Sequence, residues 1–193
     1  LKAAYLHAQH PDWRIAITFN TRSLKGQLRQ LINTFYIEQT SEEPDWDNVH
    51  IIHAWGAPGG GERNGLYYTF CSCNNVEYSD FMAARSKFGS ADPFGKACAK
   101  ALEDAAEVKQ LYDAILVDEA QDFSPSFLRM CYEMLKKPKR LVYAYDELQN
   151  LRSQSLPSPE EIFGKHEDGS PKVKFEPYEE GKPQQDIILE KCY

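Results

Sequence analysis

Residues 114–122, Ala-Ile-Leu-Val-Asp-Glu-Ala-Gln-Asp, place two carboxylates directly after four apolar side chains. An apolar run without alternation, with β-branched Ile115 and Val117, suits a parallel strand covered on both faces. Such a strand ends at the carboxyl edge of its sheet, where open α/β sheets bind their ligands. At that edge Asp118 can hold a Mg²⁺ that bridges nucleotide phosphates, and Glu119 can orient or deprotonate an attacking water. The competing reading is a solvated acidic strand end that leads into the next helix. A second polar cluster, Tyr145-Asp146-Glu147-Leu148-Gln149, closes the next apolar run and brings Asp146 and Gln149 to the same edge.

The elements that must position these groups follow from hydrophobic period. Leu1, Ala4, Tyr5 and Ala8 share one helical face, and His10-Pro11-Asp12 ends that helix. Arg14–Phe19 reads as a buried strand. Leu24, Leu28, Leu31, Ile32 and Phe35 predict an amphipathic helix from about Arg22 to Tyr36, capped near Thr21. Residues 40–48 are an exposed connection, and Val49–Trp55 forms a further strand. Pro93–Tyr112 reads as a helix. Ser124-Pro125 opens a helix that ends at Lys136-Lys137-Pro138, and the fourth core strand is Arg140–Tyr145. Residues 153–186, rich in Pro, Gly, Ser, Glu and Lys, read as a surface excursion with a short helix over Ser158–Phe163, after which Ile187-Ile188-Leu189 returns as a strand.

Composition bounds the function classes. The chain has 193 residues, 42% hydrophobic and 26% charged, enough for one α/β domain with a core and an inserted segment. No apolar run reaches the ~20 residues needed to cross a bilayer, so a cytoplasmic protein without a membrane partner is expected. The net charge of −7 argues against a broad basic face, and any nucleic-acid contact must come from a local groove. Five cysteines, odd in number and irregular in spacing, fit reduced thiols. Cys71 and Cys73 lack the second ligand pair that zinc requires. The glycines at 59–61 are not a phosphate cradle, because no Lys-Ser/Thr follows them.

Together, Asp118-Glu119-Ala120-Gln121-Asp122 and Asp146-Glu147-Leu148-Gln149 give the chain a resemblance to the superfamily 1 helicases of the UvrD/Rep type. The family's motif II is Asp-Glu-x-Gln-Asp and its motif III carries Asp-x-x-Gln. The resemblance implies an α/β fold, a RecA-like P-loop NTPase-type parallel sheet with flanking helices and an inserted 1B-like subdomain. Residues 1–56 would begin the RecA-like domain, 57–110 would be the insertion, 111–152 the core with motifs II and III, and 187–193 a returning core strand.

The cofactors implied are ATP and Mg²⁺. Asp118 would bind the metal, Glu119 would activate water and Gln149 would sense the γ-phosphate, with Gln121, Asp122 and Asp146 as supporting nucleotide-site residues. Motif Ia of the family matches residues 18–22, so Phe19, Asn20, Thr21 and Arg22 would contact a single strand, a ring stacking on a base and polar groups taking a phosphate. His53 matches a strand-contacting histidine, and Trp55 adds a stacking surface. Core roles for Phe19 and Trp55, a solvated helix start at Arg22 and a backbone-satisfied His53 are the competing readings.

Walker A is absent from this sequence, and in the family it directly precedes the first helix. The expectation is therefore a fragment that begins just after the P-loop and is nearly inactive alone. Its partners would be single-stranded or partly duplex nucleic acid, DNA ahead of RNA, and a second RecA-like domain of the same parent chain. The rival is a degenerate P-loop-like module that binds nucleic acid or protein and hydrolyses nothing.

Overall fold

The computed structural model describes residues 1–21, 23–145, 157–175 and 179–180. Close contacts divide the chain into two units, residues 1–156 and 157–193. In the first, strands β1 (Ile15–Phe19), β2 (Val49–His53), β3 (Tyr112–Val117) and β4 (Leu135–Tyr143) form a sheet of order β2-β1-β3-β4. Every pairing in it is parallel. The protein is thus α/β with an all-parallel sheet.

The apolar run that predicted a doubly covered strand has that environment. Ile15, Ile17 and Phe19 of β1 pack with Ala114 and Leu116 of β3 against helices α1 (Lys2–Gln9) and α2 (Leu24–Thr40). The opposite-facing Ala16, Thr18, Ile115 and Val117 are buried as well. Burial on both faces removes any pressure for a polar residue at alternate positions.

Several boundaries differ from the sequence reading: β2 ends at His53 rather than Trp55, and the helix that starts at Pro125 ends at Glu133, before Lys136-Lys137-Pro138. Helix α2 runs to Thr40 and stops where Ser41 turns left-handed, with φ of 61°. Helix α5 (Pro93–Asp104) ends eight residues before the expected Tyr112, which lies instead in β3 at 1% exposure. The backbone between them is held by Asn74, whose side-chain oxygen accepts from Lys109 N at 2.8 Å. Strand β4 starts at Leu135, before Pro138. Its register against β3 shifts between Tyr112–Leu135 and Ala114–Arg140, and this irregularity accommodates a proline that could not donate to a regular ladder.

Residues 57–110, expected as an inserted subdomain, fall within the first unit. They fold as α3 (Leu66–Asn74), α4 (Phe81–Phe88) and α5, and they share an aromatic layer with α6 (Pro125–Glu133). Phe94 of α5 lies 4.7 Å from Trp55 and 5.1 Å from Phe127 between ring centroids, and Phe127 lies 4.5 Å from Phe123.

The glycine-rich stretch closes a loop by direct backbone contact. A Cβ on Gly65 would sit 2.2 Å from Gly56 N, and one on Gly56 would sit 2.3 Å from Gly65 N. Gly56 also has a φ of +74°, which side-chain-bearing residues rarely adopt. Neither neighbour is a flexible side-chain end that could move aside. Gly65→Ala should therefore cost about 3 kcal/mol, read as a lower urea midpoint at unchanged slope. A variant as stable as the parent sequence would show that the two backbones can separate freely.

In the second unit, the short helix expected over Ser158–Phe163 is present as α7 (Pro159–Phe163), begins at a Ser158–Glu161 capping box, and buries Ile162 and Phe163. The expected strand at 187–189 lies outside the described residues. Among the described residues, no helix is long and apolar enough to cross a membrane.

Candidate functional site

The strand order locates the ligand crevice before any side chain is considered. The chain leaves β1 through α2 toward β2, and it leaves β3 through α6 toward β4, on the other side of the sheet. The connections diverge between β1 and β3, and a crevice opens outside the carboxyl ends of strands at such a reversal. Asp118 and Glu119 follow β3 directly, and Asn20 and Thr21 follow β1.

The turn after β3 is pinned to both neighbours. Asp118 N donates to Thr18 O of β1 at 3.0 Å, while Ala120 N donates to Ala144 O at 2.8 Å and Ala144 N to Val117 O at 3.0 Å. Between these anchors Glu119 is left-handed, with φ 52° and ψ 53°. An L-residue with a bulky side chain pays about 1 kcal/mol for that conformation, which proteins tolerate chiefly where a site needs the geometry. A 3₁₀ turn, Ala120–Asp122, then leads to Ser124 and α6.

The side chains divide the carboxylates by environment. Asp118 is half-buried, and among the described residues its carboxylate has no hydrogen bond or ion pair. Glu119 is also half-buried, and its Oε2 accepts from Gln121 Nε2. Asp122 is exposed. Among the described residues no group of three or more His, Cys, Asp or Glu side chains could hold a metal by itself. The donor set nonetheless fits Mg²⁺ bound with a nucleotide, because that ion takes one or two carboxylates and completes its shell with phosphate oxygens and water.

Asp146 and Gln149 lie outside the described residues. What is described is their approach: β4 pairs with β3 in parallel, with Tyr143 opposite Val117, so the chain leaves both strands at the same edge.

The residues expected on a nucleic-acid strand separate sharply. Phe19 is only 1% exposed, packed in the core with its ring edge-on to His53. It cannot stack on a base without vacating that core, and its assignment as a strand contact is corrected to a structural one. His53 accepts from Trp55 N through Nδ1 at 3.1 Å, so its other nitrogen carries the proton and donates to Asn20 O at 2.6 Å. Both ring nitrogens are occupied by backbone. His53 therefore joins the ends of β1 and β2 rather than offering a free nitrogen to a strand.

Asn20 and Thr21 are exposed at the sheet edge. The expected cap at Thr21 shifts to Ser23, which makes no side-chain cap bond. Arg22 lies outside the described residues.

Trp55 is partly buried, stacked on Phe94, with its indole nitrogen donating to Ser79 O at 3.0 Å. It still reaches the surface, in a cleft of about 360 Å³ that also includes Asn20, Asp122 and Ser124. The far wall of this cleft, Phe81 and Arg85 of α4 with Asp92 and Phe94 at the start of α5, was not marked by sequence reasoning. The only available signal was the aromatic density of residues 67–94, which does not by itself distinguish a core from a surface. Tyr78 ties the segment before α4 to the loop after β2 by donating to Gly56 O at 2.8 Å, and burial pushes its phenol pKa up, so the hydroxyl keeps its proton.

Gly95 sets the fit of α5 beside this cleft: a Cβ there would lie 2.1 Å from both Asp92 Oδ2 and Ser124 Oγ. Asp92 Oδ1 caps the helix at Gly95 N, 3.0 Å away, and Ser126 Oγ donates to Gly95 O at 2.7 Å. Comparison with protein-family models, with curated proteins and with solved structures finds no match to the chain.

Proposed function

We propose that this chain is part of the first RecA-like motor domain of an ATP-dependent superfamily 1 helicase or translocase that couples Mg-ATP hydrolysis to movement on single-stranded nucleic acid. The observation that carries the proposal is the position of Asp118 and Glu119. The Asp-Glu-x-Gln-Asp segment sits at the reversal point of a parallel sheet, with its turn anchored to the strands on either side. A solvated acidic strand end requires neither that position nor a left-handed Glu119.

Bound Mg²⁺ supplies the positive charge that neutralises the nucleotide phosphates. Asp118 would hold it through a carboxylate that no other described side chain engages. Glu119 would take the proton of the attacking water on its carboxylate, with the Gln121 amide bonded beside it. Gln149 would report the γ-phosphate to the strand site, and closure of a second RecA-like domain would complete the charge stabilisation.

The test is nucleotide binding by the full-length protein. Asp118→Asn should weaken Mg-ATP at least tenfold while leaving metal-free ATP within about twofold, since only the metal-dependent part of the affinity passes through that carboxylate. Equal loss in both conditions, or none in either, would contradict the assignment. Strand binding without any ATP turnover would identify the chain as a binding module instead.

A further inference from the structure

Helix α1 buries an imidazole where it could have buried a larger apolar group. Leu1 and Tyr5 are 74% and 50% exposed, whereas His7 is fully buried beside Ala3 and Ala4. A buried ionisable side chain destabilises the fold unless it is neutral and bonded. His7 is bonded on one side only. Asp45 N donates to its Nε2 at 3.1 Å, so Nε2 is bare and the neutral ring keeps its proton on Nδ1. That Nδ1 has no hydrogen-bond partner, and the ring is stacked on Tyr36 of α2 with 4.9 Å between centroids.

The bond from Asp45 has a wide reach. Asp45 opens the turn into β2: its carbonyl accepts from Asn48 N at 3.1 Å and Val49 N at 3.0 Å, and its carboxylate accepts from Asp47 N at 2.9 Å and Asn48 Nδ2 at 3.0 Å. Asn48 in turn binds the segment before β1, donating from Nδ2 to Pro11 O at 3.1 Å and accepting at its carbonyl from Ile15 N at 2.8 Å. His7 thus joins α1 to the amino ends of both β1 and β2.

We infer that His7 is a pH-sensitive latch, closed at neutral pH, that releases α1 from the turn into β2 when the ring takes up a second proton. The imidazolium would set an N–H donor against Asp45 N–H and leave a charged Nδ1–H without an acceptor. Nothing around the ring offers to repair either defect. Tyr36 meets it from α2 through its ring face, and Asp45 is the one charged group acting on it, with a carboxylate already engaged by Asp47 and Asn48. The neighbouring imidazoles are occupied elsewhere, His10 on the Trp13 ring and His50 on Asp47 O.

Burial outweighs the attraction of Asp45 and holds the His7 imidazole below its usual value. Once released, the ring titrates near the ~6.5 of a solvated histidine. A group whose pKa is depressed by folding in this way contributes stability that is complete above the solvated value and is lost as pH falls below it. The latch operates whether or not Asp118 and Glu119 serve a nucleotide.

The experiment is amide hydrogen exchange of the full-length protein, read by mass spectrometry at about pH 8.5, 7.5 and 5.5 and corrected at each pH for the rate of an unstructured chain. Protection of α1 should be equal at the two higher values and about tenfold lower at the lowest, the fall that uptake of one proton on opening produces. His7→Gln keeps an acceptor for Asp45 N but nothing to titrate, so its α1 protection should stay level. His50→Gln is the control and should fall in α1 as wild type does. The ring gives a second reading that needs no variant: with isotope-labelled histidine, nitrogen chemical shifts of His7 should show a protonated Nδ1 and a bare Nε2 at neutral pH. Level protection of α1 in wild type, an equal fall in His7→Gln, or a proton on Nε2 at neutral pH would each overturn the inference.

Discussion

In the full-length protein, Glu119→Gln is expected to lower strand-stimulated ATP turnover by at least two orders of magnitude while ATP binding stays within about twofold. A positioned general base contributes about 10²–10⁴ in rate, and glutamine retains the size and hydrogen bonding of glutamate without its proton affinity. The local structure makes this substitution unusually clean. The left-handed backbone at residue 119 is fixed by Asp118 N on Thr18 and Ala120 N on Ala144, neither of which involves the side chain. Gln121 can still meet an amide oxygen at position 119. Loss of turnover therefore reports on chemistry rather than on folding, and turnover at the wild-type rate would remove Glu119 from the mechanism.

The second large effect is on stability. Phe127 is fully buried in α6 and joins Phe94 on one side to Phe123 on the other. Phe127→Ala leaves a cavity where an entire ring stood, at a cost of about 3–5 kcal/mol. Against a typical domain stability of about 5–15 kcal/mol, that is a large fraction. Because Phe94 loses the ring behind it and also lines the cleft, the cleft wall should loosen as the denaturation midpoint falls. A loss of less than about 1 kcal/mol would mean that the site collapses around the gap, and that the aromatic layer does not hold α5 against α6.

The parts of the fold that sequence reveals well are those governed by a single period. The four-residue apolar run of β3, the five buried positions of β1 and the stripe on α2 each declare their element, and the parallel order follows because helices separate consecutive strands. The elements read less well are those decided by distant contacts. Helix α5 stops at Asp104 although residues 105–111 carry no proline or glycine, and the backbone is captured there by Asn74, far away in sequence. Strand β4 runs through Pro138 because a register shift removes the need for its missing donor.

The site shows the same division. The place of Asp118 and Glu119 directly after a buried parallel strand is legible because an unbroken apolar run ends at two acids. Phe19 is misread as a strand contact, since an aromatic residue at the end of a strand looks alike from sequence whether it turns into the core or out to solvent. His53 is misread because its partners are the backbone of residues 20 and 55, which carry no sequence signature. Phe81 and Arg85 reach the cleft only through the packing of α4 and α5 beside the sheet edge, an arrangement set by Gly95 and the ring layer rather than by any local pattern.

We propose that the carboxylates after β3 hydrolyse a nucleotide under the control of a bound strand. Steady-state ATP turnover of the full-length protein, measured with and without saturating single-stranded nucleic acid, tests it most directly. Magnesium-dependent turnover should rise at least tenfold when the strand is added. Turnover that is absent, or indifferent to the strand, would contradict it.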